Sequence, residues 1–371
     1  MSPLVPEAPP QSFGRFFLPG PTEVRPPVLE AQNRAVIGHR GPAFDELMEE
    51  VQVGLREVFQ TQRPVFVSTS SATGLMEAAV RNGAHGRVLS LVCGAFSGRF
   101  ARIAEQCSKD VDRVAVGWGS SNTAEQLRDA LESGGPYDAV TAVHSETSTG
   151  ALNDIEALAA VVEDYPDTLL LVDSVTGVGG AEMRPDDWGV DFVLTGSHKA
   201  LAVPPGLAFG VASEAMMERA RTVEGRGMYF DLVAFDRKIA KLQTPNTPAV
   251  PVMYALAEQL RHIRSETMEV RWARHTAMAE RTWSWVDGMR AEGVEVCVFA
   301  EEGSRSPTVT CITLPTGTAA PGVVAAMKER DWVLGGGYGD LAPTCIRIGH
   351  MGDHTRDKLD ELLDDLADVL T

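Results

Sequence analysis

Apolar residues recur along this chain in two rhythms. Phe44, Leu47, Met48, Val51, Leu55 and Val58 return every three or four positions, which gives a helix one continuous apolar face. The same spacing reappears at Leu152, Ile155, Leu158 and Val162, and near the end of the chain at Leu359, Leu362, Leu363, Leu366 and Val369. Between such segments lie short apolar runs: PVFVS, RVLSLV, YDAVTAV, Leu169 to Val172 and Phe192 to Leu194. Their length suits buried strands. Strands alternating with helices predict an α/β fold, a mainly parallel sheet with helices on both faces. After about residue 258 the pattern changes. The runs EVCVFA, TVTCITL, WVLGGG and TCIRIGH interleave with helices expected over 320–330 and 356–370, which predicts a smaller α+β unit. Three parts follow: a loose, proline-rich arm over residues 1–15, an entry segment with a large unit over 16–257, and a small unit over 258–371.

Chemistry collects where the apolar runs stop. Leu169 to Val172 ends at Asp173, and the strand from Phe192 to Leu194 is followed by Lys199. Ligands of open α/β sheets sit outside the carboxyl ends of the strands, so this carboxylate and this amine can face one cavity. A lysine there is ordinarily a solvated surface charge. Here Gly196, Ser197 and His198 precede it and Ala-Leu-Ala-Val-Pro-Pro-Gly follows, an apolar setting for an ammonium. In STSSATGLMEAAVRN an extended run turns helical at Ser71, Ala72 and Thr73; hydroxyls at such a junction serve as N-caps or, with the free N–H groups of the first turn, hold a phosphate. Phe96 follows another strand end, where its ring could stack on a planar ligand or pack in the core. Arg347 sits among apolar strand residues, so it faces solvent or needs a paired anion.

SHK, with its lysine 26 residues beyond the Asp of VDSV, resembles the class V aminotransferases of fold type I, and within them the alanine:glyoxylate and serine:pyruvate aminotransferases. The opening FFLPGPTEVRPPVLEA is similar to that class's LxPGPTxVxPxVL, HSETSTG to its HxESSTG, and TCIRIGHMGD to its RIGHMG segment. The resemblance implies a seven-stranded-type large domain, a small α+β C-terminal domain and pyridoxal 5'-phosphate as cofactor. It implies a Schiff base on Lys199, Asp173 paired with the pyridinium nitrogen, and the phosphate held at Ser71, Ala72 and Thr73. Phe96, Val175, Ser197 and His198 would surround the ring, and Ser148, with Thr147 and Thr149 as neighbours, would contact its ring oxygen. Thr247, in QTPNTPAVPV, would reach the phosphate of the partner subunit in a homodimer with shared active sites. Arg347 would grip the substrate α-carboxylate. His39 and Arg40, in GHRGPAF, would approach the substrate's distal end or form a plain surface turn.

The implied reaction moves an amino group from a small donor, of alanine or serine type, to a 2-oxo acid such as glyoxylate or pyruvate. Cysteine desulfurase or lyase chemistry and phosphonate transamination share the scaffold. A desulfurase needs a mobile reactive cysteine, and the candidate, Cys345, falls inside a strand-like run. A dinucleotide loop at TGVGG lacks the full glycine spacing and has EMRPDDWG where a helix should open.

Composition narrows the partners. A net charge of −18 argues against nucleic acid and anionic membrane surfaces. Five widely spaced cysteines without a CxxC pair signal neither a disulfide framework nor a metal site. The N-terminus lacks the apolar run of a signal peptide, which predicts a cytoplasmic protein.

Overall fold

Runs that are apolar at every position need cover on both sides, and they form the centre of the larger sheet. Ala139–Val143, Leu169–Asp173 and Phe192–Gly196 are buried throughout. The computed structural model describes residues 13–371, so positions 1–12 of the expected arm lie outside the described residues. Among these residues a seven-stranded sheet runs in the order Val65–Ser68, Ala208–Ala212, Phe192–Gly196, Leu169–Asp173, Ala139–Val143, Arg87–Val92, Asp110–Ala115. Ala208–Ala212 is antiparallel to both its neighbours, and the other pairings are parallel. The apolar spacing from Phe44 onward forms the helix Pro42–Phe59, with Phe44, Met48, Val51 and Leu55 buried. Because neighbouring strands run parallel, the ends carrying Asp173 and the Lys199 loop open on the same edge.

A second sheet is built mostly from the C-terminal third, in the order Phe16–Phe17, Val333–Gly336, Cys345–Gly349, Val309–Thr313, Cys297–Val298. Phe16–Phe17 pairs in parallel with Val333–Gly336, and Phe17 is buried in the same apolar cluster as Trp332 and Ile346. The entry segment, grouped by its sequence position with the large unit, therefore starts as an edge strand of the small one. Residue 258, where the small unit is expected to begin, falls inside the helix Val250–Glu266, whose Leu260 and Ile263 pack in the large core. The change of core comes one helix later, along Met268–Ala291, where Met268 packs in the large cluster and Met278 in the small one.

That long helix ties the two cores to the loop that carries the lysine. Arg271 is fully buried, ion-paired to Glu266 at 2.8 Å and to Asp353 at 2.9 Å. With its charge balanced, its remaining N–H groups donate to Ala200 O at 2.7 Å and Gly179 O at 3.2 Å. The backbone beside Lys199 is thereby fixed from below. Among the described residues no helix is long and apolar enough to cross a membrane.

Candidate active site

A cavity of about 270 Å³ opens at the carboxyl edge of the large sheet, and Asp173, Lys199, Phe96 and Thr73 are among its walls. Asp173 is 3% exposed, and the hydrogen bond its carboxyl accepts comes from the N–H of Val175 at 2.9 Å. Burial, only partly offset by that bond and by the charge of Lys199, pushes its pKa up to about 7. The Lys199 amine donates to Pro19 O at 2.8 Å. Burial and the cation of Arg347 push its pKa down to about 8, against the pull of Asp173. No ion pair joins Asp173 to Lys199 among the described residues. Both groups face the same space and leave it open between them.

The entry segment closes over the lysine. Thr22 N donates to His198 O at 2.9 Å and Thr22 Oγ1 to Lys199 O at 2.7 Å. Gly20 lies at φ +133°, and a Cβ there would overlap Lys199 Nζ. Only glycine allows the segment this approach.

Opposite, the helix Ala72–Gly83 begins at the cavity, and Ser71, Ala72 and Thr73 all line it. The Ser71 hydroxyl makes no capping bond, so this hydroxyl and the N–H groups of Ala72 and Thr73 are available to an anion, while Gly74 N donates to Ser71 O. The helix Ala95–Gln106 also starts here and presents Phe96. Its first N–H groups are taken by a buried carboxylate: Glu146 accepts from Phe96 N and Ser97 N, and from Ser97 Oγ at 3.0 Å. Phe96 is thereby aimed at the cavity.

Val175 and His198 also line the cavity, and burial pushes His198 down to about 4, so it stands neutral. Arg347 is held by Gly336 O at 2.8 Å and Thr147 O at 3.1 Å, next to the cavity wall. Four expected residues are placed elsewhere. Ser148 is fully buried and turned inward, its hydroxyl donating to Glu146 at 2.6 Å and accepting from Ala95 N. Its neighbour Thr147 lines the cavity in its stead. Ser197 is fully buried and braces its own loop by donating to Pro204 O at 2.7 Å. Thr247 is exposed and outside this subunit's cavity. Arg40 is exposed and donates to Gln243, with His39 in a shallow depression of residues 37–43. The sequence names Thr147 only as a neighbour of Ser148 and passes over Thr176, Arg99 and the Pro19–Thr22 wrap; the PGPT run is a visible signal for the last, but no periodicity marks Thr176 or Arg99.

A family model for class V aminotransferases matches residues 28–330. The chain belongs to the class V aminotransferases. It is 33% identical to the L-aspartate–glyoxylate aminotransferase of Paracoccus denitrificans over 92% of this chain and 87% of that protein. Against the serine–glyoxylate aminotransferase of Arabidopsis thaliana the identity is 32%, over 91% and 85%. The solved alanine–glyoxylate aminotransferase from Nostoc sp. superposes with a TM-score of 0.90 at 31% identity, covering 99% of this chain and 98% of that one. The fold is therefore fold type I, and the enzyme is a pyridoxal 5'-phosphate-dependent transaminase.

The residues of this class V aminotransferase fit that cofactor. An uncapped helix start suits a phosphate, an aromatic ring flanks the space, and a carboxylate and an amine face it without closing on each other. Once bound, the cofactor supplies an aldehyde to take up the amino group and a ring to withdraw electrons. The lowered basicity of Lys199 keeps part of its amine unprotonated near neutral pH, as a nucleophile and a base require.

Proposed function

We propose that this aminotransferase takes the amino group of a small α-amino acid, of alanine or serine type, and delivers it to a 2-oxo acid such as glyoxylate or pyruvate. Lys199 carries the cofactor and moves the proton at the substrate Cα. Asp173 holds the pyridinium nitrogen protonated, and Ser71, Ala72 and Thr73 hold the phosphate. Arg347 grips the α-carboxylate. The observation that carries the reading is the position of Arg347: a half-buried guanidinium that pairs with no carboxylate among the described residues, close enough to Lys199 to depress its pKa. A substrate carboxylate at that fork would point Cα toward the lysine amine. The names of the relatives, which use serine, alanine or aspartate with glyoxylate, support small donors and a small acceptor.

The enzyme works, in this reading, as a homodimer in the cytoplasm, with Thr247 of each subunit serving the other's phosphate site. The exposure of Thr247 on this subunit supports that arrangement. The geometry speaks against a desulfurase: although its hydrogen bond with Cys311 pushes the Cys345 thiol down to about 6, Cys345 is 1% exposed, held within its strand and absent from the cavity lining. The test is a panel of amino acids offered with glyoxylate or pyruvate to the cofactor-loaded enzyme, with chromatographic detection of the new amino acid. Glycine or alanine formed from a small donor supports the proposal; no new amino acid from any pair contradicts it.

A further inference from the structure

We propose that Arg99 forms a second anion subsite in the Lys199 cavity and reads the distal carboxylate of a dicarboxylic amino donor of aspartate type. The inference rests on the transamination reading above and adds a substrate class to it. Arg99 lies one turn beyond Phe96 on the helix Ala95–Gln106 and lines the cavity with Lys199 and Asp173. Its guanidinium stacks 4.7 Å over the Phe96 ring, and its Nη2 donates to Tyr338 Oη at 3.0 Å. The side chain is thus fixed from two sides before any ligand arrives.

What it lacks is an anion. Many arginines of this chain meet a carboxylate, as Arg81 meets Glu77 and Arg113 meets Glu105. Arg99 makes no ion pair among the described residues, and the acceptor it meets there is the Tyr338 hydroxyl. The buried carboxylate of the neighbouring wall, Glu146, is already engaged by Phe96 N, Ser97 N and the Ser97 and Ser148 hydroxyls. A half-buried cation in a cavity is costly without a counter-charge, so a ligand oxygen is its natural partner.

Tyr338 contacts two such cations. Its ring is 5.2 Å from Phe96, its hydroxyl holds Arg99, and the Arg347 guanidinium lies 5.7 Å from its ring centre. Two guanidiniums therefore meet one aromatic side chain, Arg99 in the cavity wall at its hydroxyl and Arg347 beside the cavity at its ring. With Arg347 on the α-carboxylate, Arg99 is left for a second one. The electrostatic reach agrees: the charge of Arg99 bears on both Asp173 and Lys199.

The test compares kcat/KM of the cofactor-loaded enzyme for alanine, asparagine and aspartate, with glyoxylate as acceptor. Asparagine matches aspartate in shape without the charge, so wild type should prefer aspartate by ~30-fold or more, the lower end for a desolvated charge pair. In Arg99→Gln the aspartate-to-alanine ratio should fall by a similar ~30-fold, any common loss cancelling in the ratio, and Arg99→Lys should restore part of it as a point charge. An aspartate preference absent in wild type, or a ratio unmoved in Arg99→Gln, overturns the subsite while leaving alanine transamination standing. Failure of every donor in wild type would overturn the transamination reading with it.

Discussion

Asp173 and Lys199 both sit where burial works against their charge, and this makes their ionisation measurable. The Asp173 carboxyl titrates near 7 in the folded chain, against an ordinary value near 3.8. Between those values the folded state binds a proton that the unfolded chain has released, so the stability this group contributes at low pH is lost as pH rises through about 7. Asn cannot ionise and escapes that loss. The melting temperature of cofactor-free Asp173→Asn, relative to cofactor-free wild type, should therefore climb between pH 5 and pH 8; a difference flat across that range would refute the assignment. At Arg347 the expected loss on truncation is larger for substrates that carry the α-carboxylate. Arg347→Ala should lower kcat/KM for an α-amino acid by ~30- to 5,000-fold, the range for removing one partner of a desolvated pair, and Arg347→Lys should fall in between. Equal losses on the matching amine without a carboxylate would remove Arg347 from the substrate site. Where a strand fixes direction the expected placement is legible in the sequence: Asp173 lines the cavity and Arg347 lies against its wall. At Ser148 it is not legible, because the tight turn Glu146–Gly150, not strand alternation, turns the Ser148 hydroxyl inward and leaves Thr147 on the cavity wall.

At the level of elements, the strand–helix alternation was legible because buried strands and amphipathic helices leave different apolar periods. Less legible were Asp110–Ala115, whose strand residues are mostly exposed, and Phe16–Phe17, too short to carry a period. The two-residue strand nevertheless positions the site: it leads into Pro19, Gly20 and Thr22, which contact or pack against Lys199 and its backbone. Gly20→Ala should displace the lysine amine and force a side chain into φ +133°, a conformation that costs a non-glycine residue about 1–3 kcal/mol. The expected result is a kcat reduced by at least ~10-fold with a lowered melting temperature. Wild-type kcat in Gly20→Ala would contradict the packing of this segment on Lys199.

At the level of the whole molecule, two apolar clusters meet along the helix Met268–Ala291; the cavity is lined by residues of the large unit, and the small unit reaches its wall through Arg347, bonded to Thr147 O, and Tyr338, bonded to Arg99. Arg271 and His275 on this helix bond to Ala200, Gly179, Gly180 and Gly352, so small-unit and large-unit backbones share one anchor. Neither contact was visible in the sequence, where an arginine and a histidine on a helix read as surface residues. The proposed homodimer adds a further level. If Thr247 serves the partner's phosphate site, a Lys199→Ala subunit combined with a Thr247→Val subunit should form one good site per heterodimer. Mixtures should then regain activity that neither parent shows alone, as a fraction set by subunit exchange. Demonstrated exchange without recovered activity would place each complete site in a single subunit.

The most direct measurement follows one half of the reaction. Cofactor-loaded enzyme is mixed with alanine in the absence of any oxo-acid acceptor, and pyruvate is counted per subunit before and after glyoxylate is added. The cavity of Asp173, Lys199 and Arg347 predicts about one pyruvate per subunit at first, then continued release with matching glycine once glyoxylate is present, and a rate lower by several orders of magnitude in Lys199→Ala. Pyruvate release undiminished in Lys199→Ala, or release that continues without any acceptor, would contradict the account.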